Sequence, residues 1–130
     1  MIKAAMGVIA GFLMWFAVAT LGNMLVRVLL PGYRAAEAAL AFTLSMLLAR
    51  LAVGALSSIG AGFVCAQVAG RSRKATYVLA LLLVVLFIPV HYALRARFPL
   101  WYHLAFLGTL APLVIAGGAL RAPRNAVMPR

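Results

Sequence analysis

One arginine at the edge of an apolar run, two histidines and a single acid are the side chains of this 130-residue chain best equipped for chemistry. Arg50 interrupts an otherwise apolar stretch, and a guanidinium inside a membrane helix costs about 2.5–3.5 kcal/mol at mid-depth, less near an interface. Thr20, Asn23 and Arg27 fall at i, i+3 and i+7, which puts them on one stripe of a helix. His91 and His103 flank a short basic turn around Arg95–Arg97, so an antiparallel hairpin brings them to similar depth. Together Arg50, Asn23, Arg27, His91 and His103 compose a candidate ligand-binding cluster suited to an anion, such as a lipid phosphate or a carboxylate. The blander reading leaves Arg50 reaching to the interface with its charged head in water.

Other chemistry finds little support. Paired imidazoles on facing helices can ligate one b-type haem. Each histidine, however, sits among interfacial aromatics, Tyr92 beside His91 and Trp101–Tyr102 beside His103, so ordinary hydrogen bonding is the expectation. No cofactor, metal site or catalytic residue is expected, because acid–base chemistry has only these two imidazoles to draw on. The one acid, Glu37, falls outside the apolar runs, which excludes proton coupling through a buried carboxylate. The single cysteine, Cys65, cannot form an internal disulfide.

The elements that position these residues follow from composition. Hydrophobic residues make up 67% of the chain and charged residues 10%, against about 25% charged in soluble domains. Too few polar side chains remain to cover a water-facing surface. The class expected is all-α, an integral membrane four-helix bundle in one domain. Twelve Lys and Arg against one acid give a net charge of +11. Such an excess can indicate nucleic-acid binding, yet here the cations punctuate apolar runs as helix-end anchors do. The expected surroundings are a lipid bilayer, with no nucleic acid.

Crossing a hydrocarbon core of about 30 Å takes about 20 apolar residues. Four runs qualify, giving spans at about 4–26, 46–70, 75–94 and 99–120. The first opens like a signal peptide, with Lys3, an apolar run and Ala17-Val18-Ala19, but continues apolar to Val26, as a retained helix does. Residues 35–49 are apolar except for Glu37 and lead into the second span without Gly or Pro. Leu40, Leu44, Leu47, Leu48 and Leu51 recur at helical spacing. One extended second helix is therefore expected, about 54 Å from residue 35 to 70, with 35–49 an interfacial extension. Tyr33, Tyr92, Phe98, Trp101 and Tyr102 read as interfacial anchors at the outer helix ends.

Orientation follows the loop cations. Lys3, Arg71, Arg73, Lys74, Arg121, Arg124 and Arg130 share one side, against Arg27, Arg34, Arg95 and Arg97, with Arg50 a fifth. The larger count places both termini in the cytoplasm of a bacterial inner membrane, although the margin leaves insertion in both orientations open. Within the second span Gly54, Ser58, Gly62, Ala66 and Gly70 form a ladder at i+4 spacing, beside a row of Ser57, Ala61, Cys65 and Ala69. Gly7 and Gly11 repeat the pattern in the first span, and Gly108, Pro112 and Ala116 in the fourth. Small residues let membrane helices approach closely, either within one bundle or between copies. Two functions follow as expectations. One is a non-enzymatic accessory subunit or homo-oligomer acting through helix packing. The other is a small transporter or lipid- or anion-binding protein built around Arg50.

Overall fold

The computed structural model describes residues 2–70 and 72–120, so Arg71, Arg121, Arg124 and Arg130 of the cation count lie outside it. Among the described residues the chain is all-helical: α1 (Ile2–Leu29), α2 (Tyr33–Ala39), α3 (Leu44–Ala69), α4 (Arg73–Ala93) and α5 (Leu100–Ala119). Four of these, all but α2, are long and apolar enough to cross a membrane. Their outer faces carry large exposed apolar side chains, among them Leu13, Leu21, Leu25, Leu56, Leu81, Val85 and Leu104.

The extended second helix does not form. Residues 35–49 divide into the end of α2, a break at Leu40–Thr43, and the start of α3. Leu40 adopts a left-handed conformation (φ 54°), and its N–H reaches back to the carbonyls of Ala36 and Glu37, which closes α2. That conformation is costly for leucine, and the side chain offsets it by packing with Leu47, Phe98 and Tyr102. Thr43 then caps α3, its hydroxyl accepting from the Met46 N–H at 3.4 Å. Leucine periodicity runs straight through this break, so only the Thr43 cap marks it in sequence.

α2 folds back over the end of the bundle instead of extending from it. Tyr33 and Ala36 are buried against Val26 and Met46. Arg27 near the end of α1 clasps Glu37 through two hydrogen bonds of 2.7 and 3.2 Å. The Arg27 hydrogen bond holds the Glu37 carboxyl below its ordinary pKa. The clasp therefore acts fully above the ordinary glutamate range and fades as pH falls through the lowered value. Glu37→Gln is expected to lower the hydrogen-exchange protection of α2 at neutral pH. The wild type should fall to the same protection only in acid, and equal protection at neutral pH would remove the clasp from the account.

α3 is central. Gly7 and Gly11 of α1 lie so close to Cys65, Ala69 and Ala61 that an added Cβ at Gly7 would stand 2.7 Å from the Cys65 carbonyl oxygen. On the other side Gly62 meets the Val114 backbone of α5, and Gly117 meets Ile59. The two small rows thus serve two neighbours, Ala61–Cys65–Ala69 facing α1 and Gly62 facing α5. α4 completes the bundle, with Leu79 against Gly11 and Thr76 against Gly118. Two expected packing glycines do otherwise. Gly70 ends α3 with a positive φ of 70° and has nothing near its Cα substituent position, and Gly108 likewise faces open space. Gly70 is a helix stop, permitted by the missing Cβ.

Candidate functional site

Arg50 lies six residues into α3, about 9 Å from its first turn, and is half-buried where α2, α3 and α5 converge. Its Nε donates to the Tyr102 hydroxyl at 3.3 Å and its Nη1 to the Tyr33 hydroxyl at 2.9 Å. The guanidinium carbon stands 4.8 Å from the Phe42 ring centre and 6.0 Å from that of Phe98. Phe42 and Phe98 stack on each other at 5.5 Å, and Phe98 stacks on Tyr102 at 5.0 Å. Arg50 is held by an aromatic cradle, stabilised by cation–π attraction and two neutral acceptors.

Three of the expected interfacial anchors belong to this cradle. Tyr33, Phe98 and Tyr102 are 0%, 6% and 4% exposed, whereas Tyr92 and Trp101 do face outward. The reason is the charge itself. A guanidinium set into an apolar bundle needs acceptors, and the chain's one acid is already bonded to Arg27. Tyrosine hydroxyls supply the acceptors without adding a negative charge. This need was the signal that could have found Tyr33 and Tyr102 beforehand. Phe42, in the unforeseen break before α3, had none.

A cavity of about 280 Å³ opens beside Arg50 between α1 and α4, with α3 and α5 behind. Asn23 and Thr20 of α1 and His91 of α4 line it with Arg50, so the structure brings three of the five proposed ligand residues together. Arg27 is not among the lining residues: its head is turned to Glu37 and is exposed. His103 sits behind His91. The two Nδ1 atoms are 2.7 Å apart, so one ring donates and the other accepts, and the pair shares a single proton across that bond. The Nε2 of His103 is buried with no partner among the described residues. This geometry does not fit a haem between the rings. Two imidazole nitrogens on one metal ion, each bonded at about 2.0–2.1 Å, stand about 4 Å apart. His103 instead fixes the His91 ring at the cavity wall.

Towards the middle of the bundle the cavity is walled by aromatics. Trp15 donates its indole N–H to the Ser58 hydroxyl at 3.0 Å, and Ser58 in turn donates to the Gly54 carbonyl at 2.7 Å. The Trp15 ring lies 4.8 Å from Phe87 and 6.3 Å from Phe106. Ser58, read in the sequence only as a small packing residue, also serves as the acceptor that orients Trp15.

Chemically, Arg50 is the dominant group. Two of its five N–H donors are taken by tyrosines, which leaves three for a guest. Asn23 and the imidazole of His91, its Nδ1 held by His103, line the same cavity. Comparison with protein-family models, curated proteins and solved structures finds no match for this chain.

Proposed function

We propose that this chain is a multi-pass protein of the bacterial inner membrane, both termini cytoplasmic, that binds an anionic group at Arg50 near the outer end of its bundle. It is not an enzyme in this reading; it holds or passes a phosphate- or carboxylate-bearing molecule. One observation carries the proposal. Arg50 is a permanent cation, set on the wall of a cavity, whose protein partners are all neutral. An uncompensated charge in apolar surroundings is costly, and an anion in the cavity offsets that cost by charge-assisted hydrogen bonds. The membrane setting is supported by four long apolar helices and by outer faces set with large exposed apolar side chains. The alternative, a homo-oligomer or accessory subunit acting through helix packing, would have to use another face, because the small rows of α3 are filled by α1 and α5.

The test is retention of anions. Purified in mild detergent, the wild type should carry an anionic lipid or other anion detectable by native mass spectrometry. Arg50→Gln should retain at least about tenfold less, since a hydrogen bond to a charged group contributes about 1.5–3 kcal/mol. Equal retention by a folded Arg50→Gln protein would overturn the reading.

A further inference from the structure

The cavity has two chemically different ends and a sideways mouth. Asn23 and Trp15 both line it, eight residues apart on α1, so it extends about 12 Å along the helix axis. Arg50 and Asn23 line one end and Trp15 and Phe87 the other, with His91 and Phe106, their ring centres 4.6 Å apart, between them. Phe16 of α1 and Val90 of α4 line the cavity, and both are also exposed on the flank of the bundle. The mouth therefore lies on the surface that spanning helices present to lipid, between α1 and α4.

From this polarity we infer that the ligand is an amphiphilic anion, a single-chain carboxylate or phosphate, which enters from the bilayer with its head at Arg50 and its tail against Trp15. The inference rests on the anion reading above and names the class of anion. A small hydrophilic anion needs an aqueous entrance and has no use for the aromatic end. A lipid-derived anion meets both ends at once, and its head already resides at the depth of Arg50. Volume limits the tail. About 280 Å³ is at the small end of ligand pockets, which run to about 300–1,000 Å³. It takes the first part of one chain and not the paired chains of a diacyl lipid.

Trp15 reports the tail directly. It is 5% exposed, so bulk lipid scarcely reaches it, while a chain in the cavity touches it. Trp101→Phe leaves Trp15 as the sole tryptophan. In nanodiscs of neutral lipid this protein is titrated with 9,10-dibromostearate, whose bromines quench indole emission on contact. Saturable quenching of Trp15 is expected, with a midpoint at least about tenfold higher in Arg50→Gln and intermediate in Arg50→Lys. Brominated phosphatidylcholine should give no saturable quenching. Acetate and inorganic phosphate are titrated in parallel by calorimetry. If these small anions bind in an Arg50-dependent way and dibromostearate does not quench, the amphiphile is wrong and the anion site stands. If neither binding depends on Arg50 in proteins whose helicity is intact, both readings fall. Quenching that is unchanged in Arg50→Gln and Arg50→Lys also overturns the inference.

Discussion

Alanine at Gly62 or at Gly117 is expected to break the bundle, whereas alanine at Gly108 leaves it intact. A Cβ on Gly62 would run into the Val114 carbonyl, and one on Gly117 into the Ile59 carbonyl. Both obstacles are backbone, so neither can swing aside as a flexible side chain does. The only relief is to move α3 and α5 apart. That separation removes the close van der Waals contact holding the helices together, and in the membrane setting proposed above no hydrophobic term would restore it. The loss should reach or exceed the upper end of the about 1–3 kcal/mol usual for overpacking. Gly108 has no atom near its substituent position, and alanine there favours the helix by about 1 kcal/mol. Unfolding by a denaturing detergent in mixed micelles, followed by far-ultraviolet circular dichroism, ranks the three. Indistinguishable midpoints for Gly62→Ala and Gly108→Ala would mean that α3 and α5 are not this close.

Trp15→Ala should be comparably damaging, and Trp15→Phe nearly silent. The four long helices meet at this ring: Ser58 of α3 receives its N–H, and Phe87 of α4 and Phe106 of α5 pack on its faces and edge. Truncation to alanine empties a buried site of indole size, a change that costs about 3–5 kcal/mol in well-packed cores. Phenylalanine keeps most of the packing and loses one interhelical hydrogen bond, worth about 0.6 kcal/mol on average between membrane helices. Ser58 still has the Gly54 carbonyl to bond. The same micelle titration separates the two variants. A Trp15→Phe protein as unstable as Trp15→Ala would show that the indole–hydroxyl bond, and not ring packing, holds this junction.

How legible these features were depended on whether the cause was local. The four long helices follow from uncharged runs of spanning length, ended by cations. The tight faces of α3 followed from glycine, alanine and serine spacing, because smallness is a property of each residue alone. The spacing did not say which neighbour each row would meet, or that Gly117, outside any row, is the partner surface for Ile59. The break before α3 was hidden because a left-handed leucine leaves no local mark of its own, and the Thr43 cap alone stood against an unbroken leucine periodicity. Leu40 is held there by contacts with Leu47, Phe98 and Tyr102, two of them more than fifty residues away. Arg50 was picked out as a charge in an apolar context, and Asn23 and His91 by shared depth. Its aromatic cradle was not, since Tyr33, Phe98 and Tyr102 have the composition of interfacial anchors and are told apart only by tertiary packing. Arg27 was misplaced for a related reason: the fold-back of α2 delivers Glu37 to it.

The junction at Trp15 also has a consequence for biosynthesis. Trp15 and its acceptor Ser58 are 43 residues apart, and at about 5–20 residues per second the acceptor is made roughly 2–9 s after the indole. Phe87 and Phe106 arrive later still. α1 therefore leaves the ribosome well before any surface that fits Gly7, Gly11 and Trp15 exists, and its grooved side must wait uncovered. α5 comes last, carrying the Val114 and Gly117 backbone that closes on α3. It seals the one face of α3 that α1 and α4, already packed against its other side, leave open.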